Sequence, residues 1–252
     1  MRTVCIIQAR MSSTRLPGKV LMPLAGQPVI AHVLQRLSCC STLSELVVAT
    51  SEDATDDLLV QWCLDNQVKV FRGSLNDVLD RYYKCAVSHH AQAVVRITAD
   101  CPALDPTVVD EVVQGFWAGA YDLFYLSGEF PDGLDCGVFS FSALERAWRE
   151  AKLPSEREHV GPYVVNHPEF FRLGKLEKFM GLSHHRWTLD EPQDMVFLQS
   201  VFDKLRRPAD QPFLATELLE LLESEPRLMQ ANQCILRNEG LIKSMKAEKG
   251  AV

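Results

Sequence analysis

The chain has 252 residues, 47% of them hydrophobic and 23% charged, and carries a net charge of -7. That suits one large α/β domain, or a domain with an appendage, and is ample for a buried core. The acidic balance argues against bulk nucleic-acid binding, and the sequence has no apolar run of about 18 residues that could cross a bilayer.

Eight cysteines are scattered without a Cys-x-x-Cys pair, so a zinc site is not expected. No stretch reads as a signal peptide, and the expected home is a reducing cytoplasm.

In chain order, Val4 to Ala9 is apolar and β-branched and reads as a buried strand. Arg10-Met11-Ser12-Ser13-Thr14-Arg15-Leu16-Pro17-Gly18-Lys19 follows as a loop with three cations, three hydroxyls and a Pro-Gly turn. A loop leaving the carboxyl end of a buried parallel strand lies where α/β sheets bind ligands. No Asp or Glu occurs before Glu45, so this acidic protein begins with a cationic island suited to a focused anion site. Hydroxyls and backbone N–H groups there can hold phosphate oxygens, with Arg10, Arg15 and Lys19 neutralising them. The loop is not a Walker A loop: Ser13 replaces its first glycine and Val20 its magnesium-binding hydroxyl.

Next come a helix over Pro28–Leu37, a strand over Glu45–Thr50, a helix capped within Ser51–Thr55 and running to about Asn66, and a strand over Val68–Phe71. Asn76 is the expected cap of a helix opened by Asp77-Val78-Leu79-Asp80-Arg81. Ala93–Thr98 reads as a strand ending at Asp100, and Asp105-Pro106 as a helix start. After Tyr121, strands at Phe124–Leu126 and Cys136–Phe139 flank a polar turn. Helices at Ser142–Ala151 and Ser155–Asn166 are expected, the second with a Ser155–Glu158 capping box. Further strands are expected at Phe170–Glu177 and His185–Leu189, then helices at Glu191–Leu205 and Phe213–Leu222. The alternation of strands and helices predicts an α/β, mostly parallel sheet flanked by helices. The expected division is one α/β domain over 1–225, with a smaller strand-helix insertion at about 121–182, and a peripheral tail over 226–252 ending in Lys246-Ala247-Glu248-Lys249-Gly250.

Read by residue type alone, Asp100 at a strand end can reach a metal bridging phosphates, or serve only as a turn acid. Asp190 can do the same, or only cap the following helix. Asp194, four residues on, is expected at the surface. Arg81 can be a solvated helix arginine. The pairs His89-His90 and His184-His185 point their rings to different sides and chelate poorly.

The run Ile6-Ile7-Gln8-Ala9-Arg10-Met11-Ser12-Ser13-Thr14-Arg15-Leu16-Pro17-Gly18-Lys19 closely resembles the opening of the cytidylyltransferases that make CMP-activated acidic sugars, the CMP-Kdo synthetase and acylneuraminate cytidylyltransferase type. Within these it looks most like the spore coat polysaccharide biosynthesis protein F branch. The similarity covers about residues 3–205. It implies a Rossmann-like nucleotidyltransferase fold, a homodimer, and transfer of CMP from CTP to an acidic, ulosonic-type sugar with Mg2+ as cofactor. Residues Ala9 to Arg15 and Lys19 would wrap the triphosphate, with Arg15, Lys19 and Asp100 catalytic. Arg96-Ile97-Thr98-Ala99-Asp100-Cys101-Pro102 and Asp190-Glu191-Pro192-Gln193-Asp194 resemble the segments that place the family's metal acids, here Asp100 and Asp190. Arg81 and Thr98 would lie at the nucleotide. Asp132, Asp135, Glu156, Arg157, His159 and Arg186 would lie near the acceptor sugar or a dimer contact. One departure stands out: the resemblance leads one to expect an acid where Gly137 stands.

Overall fold

Thr3–Gln8 forms strand β1, whose Val4 to Ile7 have no exposed surface. Its side chains alternate between two cores, as a strand covered on both faces requires. The computed structural model describes residues 1–235 and 237. The tail read as ending in Lys246–Gly250 lies outside the described residues.

Two short strands, β2 (Pro23–Leu24) and β3 (Gln27–Pro28), form a small hairpin before α1 (Val29–Ser38). Then come β4 (Glu45–Ser51), α2 (Asp57–Asp65), β5 (Val70–Gly73), α3 (Val78–Ser88), β6 (Ala93–Thr98) and α4 (Pro106–Gly119). The rest is β7 (Leu123–Ser127), β8 (Gly137–Ser140), α5 (Phe141–Glu150), α6 (Pro154–His159), α7 (Pro162–Asn166), β9 (Leu173–Glu177), α8 (Pro192–Lys204) and α9 (Ala215–Ser224). The main sheet has the order β5-β4-β1-β6-β8-β7-β9. β8 runs antiparallel to β6 and β7; the other pairs are parallel. Cys5 and Ile7 face a core built with α1, α4, α8 and α9; Val4 and Ile6 face one built with α3, α5 and α7. Among the described residues, no helix is long and apolar enough to cross a membrane.

Several local expectations shift. Val68 donates to Cys63 O and so closes α2, which delays β5 to Val70. Asp77, not Asn76, caps α3 by accepting from Asp80 N at 2.9 Å. The helix expected over Ser155–Asn166 is two. Pro162 has no N–H to continue the ladder, and Val160 takes a left-handed φ of 68° between them. α6 starts at Pro154, so Ser155 lies inside it. Glu156 performs the capping, its Oε2 accepting from Lys152 N and Leu153 N at 3.1 Å each.

His185–Leu189 is not a strand. It runs extended beside the β7–β8 turn with an isolated bridge between Asp132 and Arg186. Trp187 N donates to Asp132 O at 2.7 Å, and Leu189 N to Asp100 O at 2.8 Å. The segment is thus a strap that ties one strand end to the next. The chain after Pro226, expected as a peripheral tail, opens on a turn in which no residue is buried. Pro226–Ala231 is a 3-10 turn, and Asn232 is buried.

Candidate active site

The loop after β1 is fixed at both ends. Ala9 N extends the β1–β4 pairing by donating to Ala49 O at 3.2 Å, and Gly18 N donates to Met11 O at 2.8 Å. Gly18 has φ 73°, which favours glycine. Met11 N donates to Asp56 Oδ1 at 2.6 Å, while Asp56 Oδ2 accepts from Ser51 N at 2.9 Å and from Ser51 Oγ. Asp56 has no exposed surface. Reading the sequence missed this residue, because Ser51–Thr55 signals only a helix cap. Its carboxylate locks the cationic loop onto the end of β4.

Lys19 emerges from this loop and stands between the two expected metal acids. Its Nζ donates to Asp100 Oδ2 at 2.6 Å, Asp190 Oδ1 at 2.8 Å and Leu189 O at 2.8 Å. Burial disfavours the ammonium, but Asp100 and Asp190 outweigh it and hold the Lys19 pKa above its usual value. Asp100 is half-buried; desolvation raises its carboxyl, but Lys19 outweighs this and holds it below the usual range. Arg15 pairs with Asp190 at 2.9 Å and Glu191 at 3.6 Å. Thr188 Oγ1 donates to Asp100 O at 3.2 Å, so the strap that carries Asp190 is pinned to the end of β6.

Behind this cluster lies a buried ion-pair network. Arg186 Nε donates to Asp194 Oδ1 at 2.8 Å and Nη2 to Asp194 Oδ2 at 2.9 Å, a bidentate pair. Nη1 reaches Asp132 Oδ2 at 3.1 Å, and Nη2 lies 3.4 Å from Asp190 Oδ2. Asp194 Oδ2 also accepts from Asp190 N and Glu191 N at 2.9 Å each, and Oδ1 from Asn232 Nδ2 at 2.9 Å. The expectation of a surface Asp194 is therefore corrected: it has no exposed surface. Third in α8, it reaches back to the helix's first N–H groups, which holds Asp190 in place.

Asp132 is buried near Asp135, Asp190, Arg186 and Arg237. Burial, and next the Asp135 charge, push its carboxyl up to about 7. Arg186 does not cancel this, because its charge is shared with Asp190 and Asp194. Between the unfolded value of 3.8 and this folded value, the folded state holds the proton that the unfolded state has lost. Stability should therefore fall as pH rises through that window. Asp132→Asn should flatten the melting-temperature profile between pH 5 and 8; an unchanged slope would contradict this environment for Asp132.

A cleft of about 400 Å³ joins these groups. Ala9, Arg10, Ser13, Thr14, Arg15 and Lys19 form one side of it. Thr98, Asp100, Asp132, Asp135, His159, Arg186 and Asp190 also line it, with Gln8, Arg96, Cys101, Glu158 and Thr188 beside them. Met11 and Ser12 do not line it; Met11 packs on the core beneath the loop. Three further expected residues stand away from the cleft. Arg81 has no exposed surface and donates from Nη1 to Ser74 O, with Nε and Nη2 unpartnered. Glu156 caps α6. Arg157 pairs with Asp77 at 3.0 Å and donates to Trp148 O at 2.6 Å, joining α6 to α3 and α5. Both side chains are engaged in these contacts within the protein. Among the described residues, no group of three or more His, Cys, Asp or Glu side chains could hold a metal ion by itself. The histidine pairs form no such group.

A family model described as cytidylyltransferase matches residues 4–239. The chain belongs to the cytidylyltransferase family. The match runs past residue 205, where the resemblance in sequence was expected to end. The spore coat polysaccharide biosynthesis protein SpsF of Bacillus subtilis is 33% identical over 228 residues, covering 88% of this chain and 94% of that protein. A cytidylyltransferase structure from Leptospira borgpetersenii is 33% identical, with a TM-score of 0.87, covering 94% of this chain and 100% of that one. A CMP:2-keto-3-deoxy-manno-octonic acid synthetase complexed with CTP superposes with a TM-score of 0.64 at 16% identity, covering 81% of this chain and 99% of that one, and shares the fold. This cytidylyltransferase thus has its cationic loop, Asp100 at a strand end and Asp190 on the strap on one cleft of a nucleotidyltransferase sheet.

Proposed function

We propose that this cytidylyltransferase transfers CMP from CTP to a hydroxyl of an acidic, ulosonic-type sugar and releases pyrophosphate, for surface polysaccharide synthesis. The observation that carries the reading is the convergence of Lys19, Asp100 and Asp190 within 2.8 Å of one another's charged atoms along each ion pair. The family match supports the choice of nucleotide, and the similarity to SpsF the link to polysaccharide synthesis.

Arg10, Arg15 and Lys19 bind the triphosphate and offset charge on the departing pyrophosphate. Ser13 and Thr14 add hydroxyl donors to phosphate oxygens. Asp132, Asp135 and His159 face the acceptor, which attacks the α-phosphorus in line. Mg2+ fits this donor set: Asp100 and Asp190 already share one cation, and two carboxylates suit an ion that keeps several waters and shares phosphate oxygens. Bound there, it would polarise the phosphate and lower the pKa of the attacking hydroxyl. Positioning by the locked loop and the pinned strap supplies much of the remaining rate. The reading extends to a homodimer with contacts in about 121–182, and to a cytoplasmic enzyme.

Pyrophosphate release with CTP, ATP, GTP and UTP, each paired with ulosonic acids, neutral sugars and sugar 1-phosphates, tests this. Turnover should need CTP, an ulosonic acid and Mg2+ together. Preference for a sugar 1-phosphate, or for another nucleotide, would overturn the reading.

A further inference from the structure

Two polar atoms in the floor of the cleft have no partner. Gln8 Oε1 and Arg96 Nε are buried and make no hydrogen bond. Gln8 closes β1 opposite Thr98, and Arg96 lies two residues before Thr98 on β6, opposite Ile6. Residues two apart on a strand share a face. Gln8 and Arg96 therefore emerge with Val4, Ile6 and Val94 on the side of the sheet covered by α3 and α5. Both line the cleft, where Glu158 and His159 of α6 also stand. A buried donor or acceptor left unpaired is costly, and such groups persist where a ligand completes them.

The neighbouring strand does not neutralise Arg96. Its register partner on β8 is Gly137, which offers no side chain. Space does not demand the glycine. A Cβ there would lie 3.4 Å from Tyr125 Cβ and 3.7 Å from Leu123 Cδ1, both ordinary contacts. So the missing side chain leaves a cation uncovered on the β8 side of Asp100. Asp132 and Asp135 enter the cleft from that side, while the phosphate-binding cations Arg10, Arg15 and Lys19 come from the β1 loop.

We propose that Arg96 and Gln8 select the acceptor. The Arg96 guanidinium binds the sugar's carboxylate, and Gln8 Oε1 accepts a hydrogen bond from a hydroxyl of the same sugar. A planar guanidinium matches a carboxylate with paired donors, and an amide oxygen requires a donor, which a sugar hydroxyl supplies. Gly137 keeps that guanidinium available. This inference rests on the acidic-sugar reading above.

Steady-state kinetics test it. Arg96→Gln should raise the KM for the acidic sugar by about 10- to 100-fold, the loss expected for one charged hydrogen-bonded contact, while the KM for CTP stays within about twofold. Gly137→Glu, which places a carboxylate opposite Arg96, should raise the same KM, and should add little on top of Arg96→Gln. Wild-type enzyme should prefer the sugar acid to its carboxamide, and Arg96→Gln should lose that preference. If wild type uses an acidic sugar and both variants use it with unchanged KM, the assignment of Arg96 is overturned alone. A rise confined to the KM for CTP overturns it too. If wild type uses only uncharged sugars, the acidic-sugar reading falls and this inference with it. Circular dichroism and melting temperature establish that each variant is folded; should Arg96→Gln fail to fold, Gly137→Glu carries the test.

Discussion

Lys19→Ala is expected to lower turnover by at least about a hundredfold, the usual loss when a charge contact made in the transition state is removed. Lys19 touches both Asp100 and Asp190, at 2.6 and 2.8 Å. Removing it takes away the charge that would follow the leaving pyrophosphate and the cation that bridges Asp100 and Asp190, leaving Arg15 and Arg186 on Asp190 alone. Asp100→Asn should cost a similar factor by the complementary loss. It removes one of the two carboxylates that would share magnesium with the phosphates. Circular dichroism should show both variants folded. The check is pyrophosphate release at saturating CTP and sugar with Mg2+. Activity within a few-fold of wild type in both variants would sink the assignment of this cleft.

Asp194→Ala should have the largest effect on stability. Arg186 has a side chain only 6% exposed, and its two-point partner Asp194 is fully buried. Breaking a buried pair by removing one member leaves an uncompensated charge and typically costs about 3–5 kcal/mol. Here the variant also strands Asp190 N and Glu191 N and removes one of the two hydrogen bonds of Asn232 Nδ2. For a chain of this size the melting temperature should drop by roughly 10 °C. Burial raises the Asp194 carboxyl, but its hydrogen bonds to Arg186, the Asp190 backbone and Asn232 outweigh that and hold it below 3.8. The stabilisation is therefore complete above about pH 4 and fades as pH falls through the lower folded value. Wild type and variant should converge in stability under acid. A melting temperature at pH 7 within about 2 °C of wild type would contradict the network.

Asp190 shows how stability and site are coupled. Its backbone is held by Asp194 and its side chain by Lys19 and Arg15. Asp194 and Asn232 do not line the cleft themselves, yet through Arg186 and the Asp190 backbone they set where that carboxylate points. Asp194→Ala is thus expected to weaken Mg2+-dependent activity beyond its effect on folding.

Much of the local structure was legible because it depends on neighbours in sequence. The β-branched run at Val4–Ile7, the Pro17-Gly18 turn, and the Asp105-Pro106 helix start all act within a few residues. Boundaries failed where a contact competed with propensity. Val68 was drawn into the end of α2, and Pro162 split a periodic helix in two. His185–Leu189 has strand-like residues but found backbone partners at isolated points, Leu182, Asp132 and Asp100, so it became a strap rather than a strand.

The sequence by itself determined the alternation of strands and helices, the cationic turn with its glycine, the strand-end position of Asp100, and the position of Asp190 just before a helix. These follow from periodicity, turn chemistry and motif resemblance, which are local. Only the tertiary structure decided that Lys19 meets both acids, that Asp56 anchors the loop, that Asp194 is buried, and that Arg96 faces Gly137. Those facts depend on strand order, register and burial across tens of residues. Coulomb attraction and desolvation act through space, and the chain's linear order does not record which charges fold to within 3 Å.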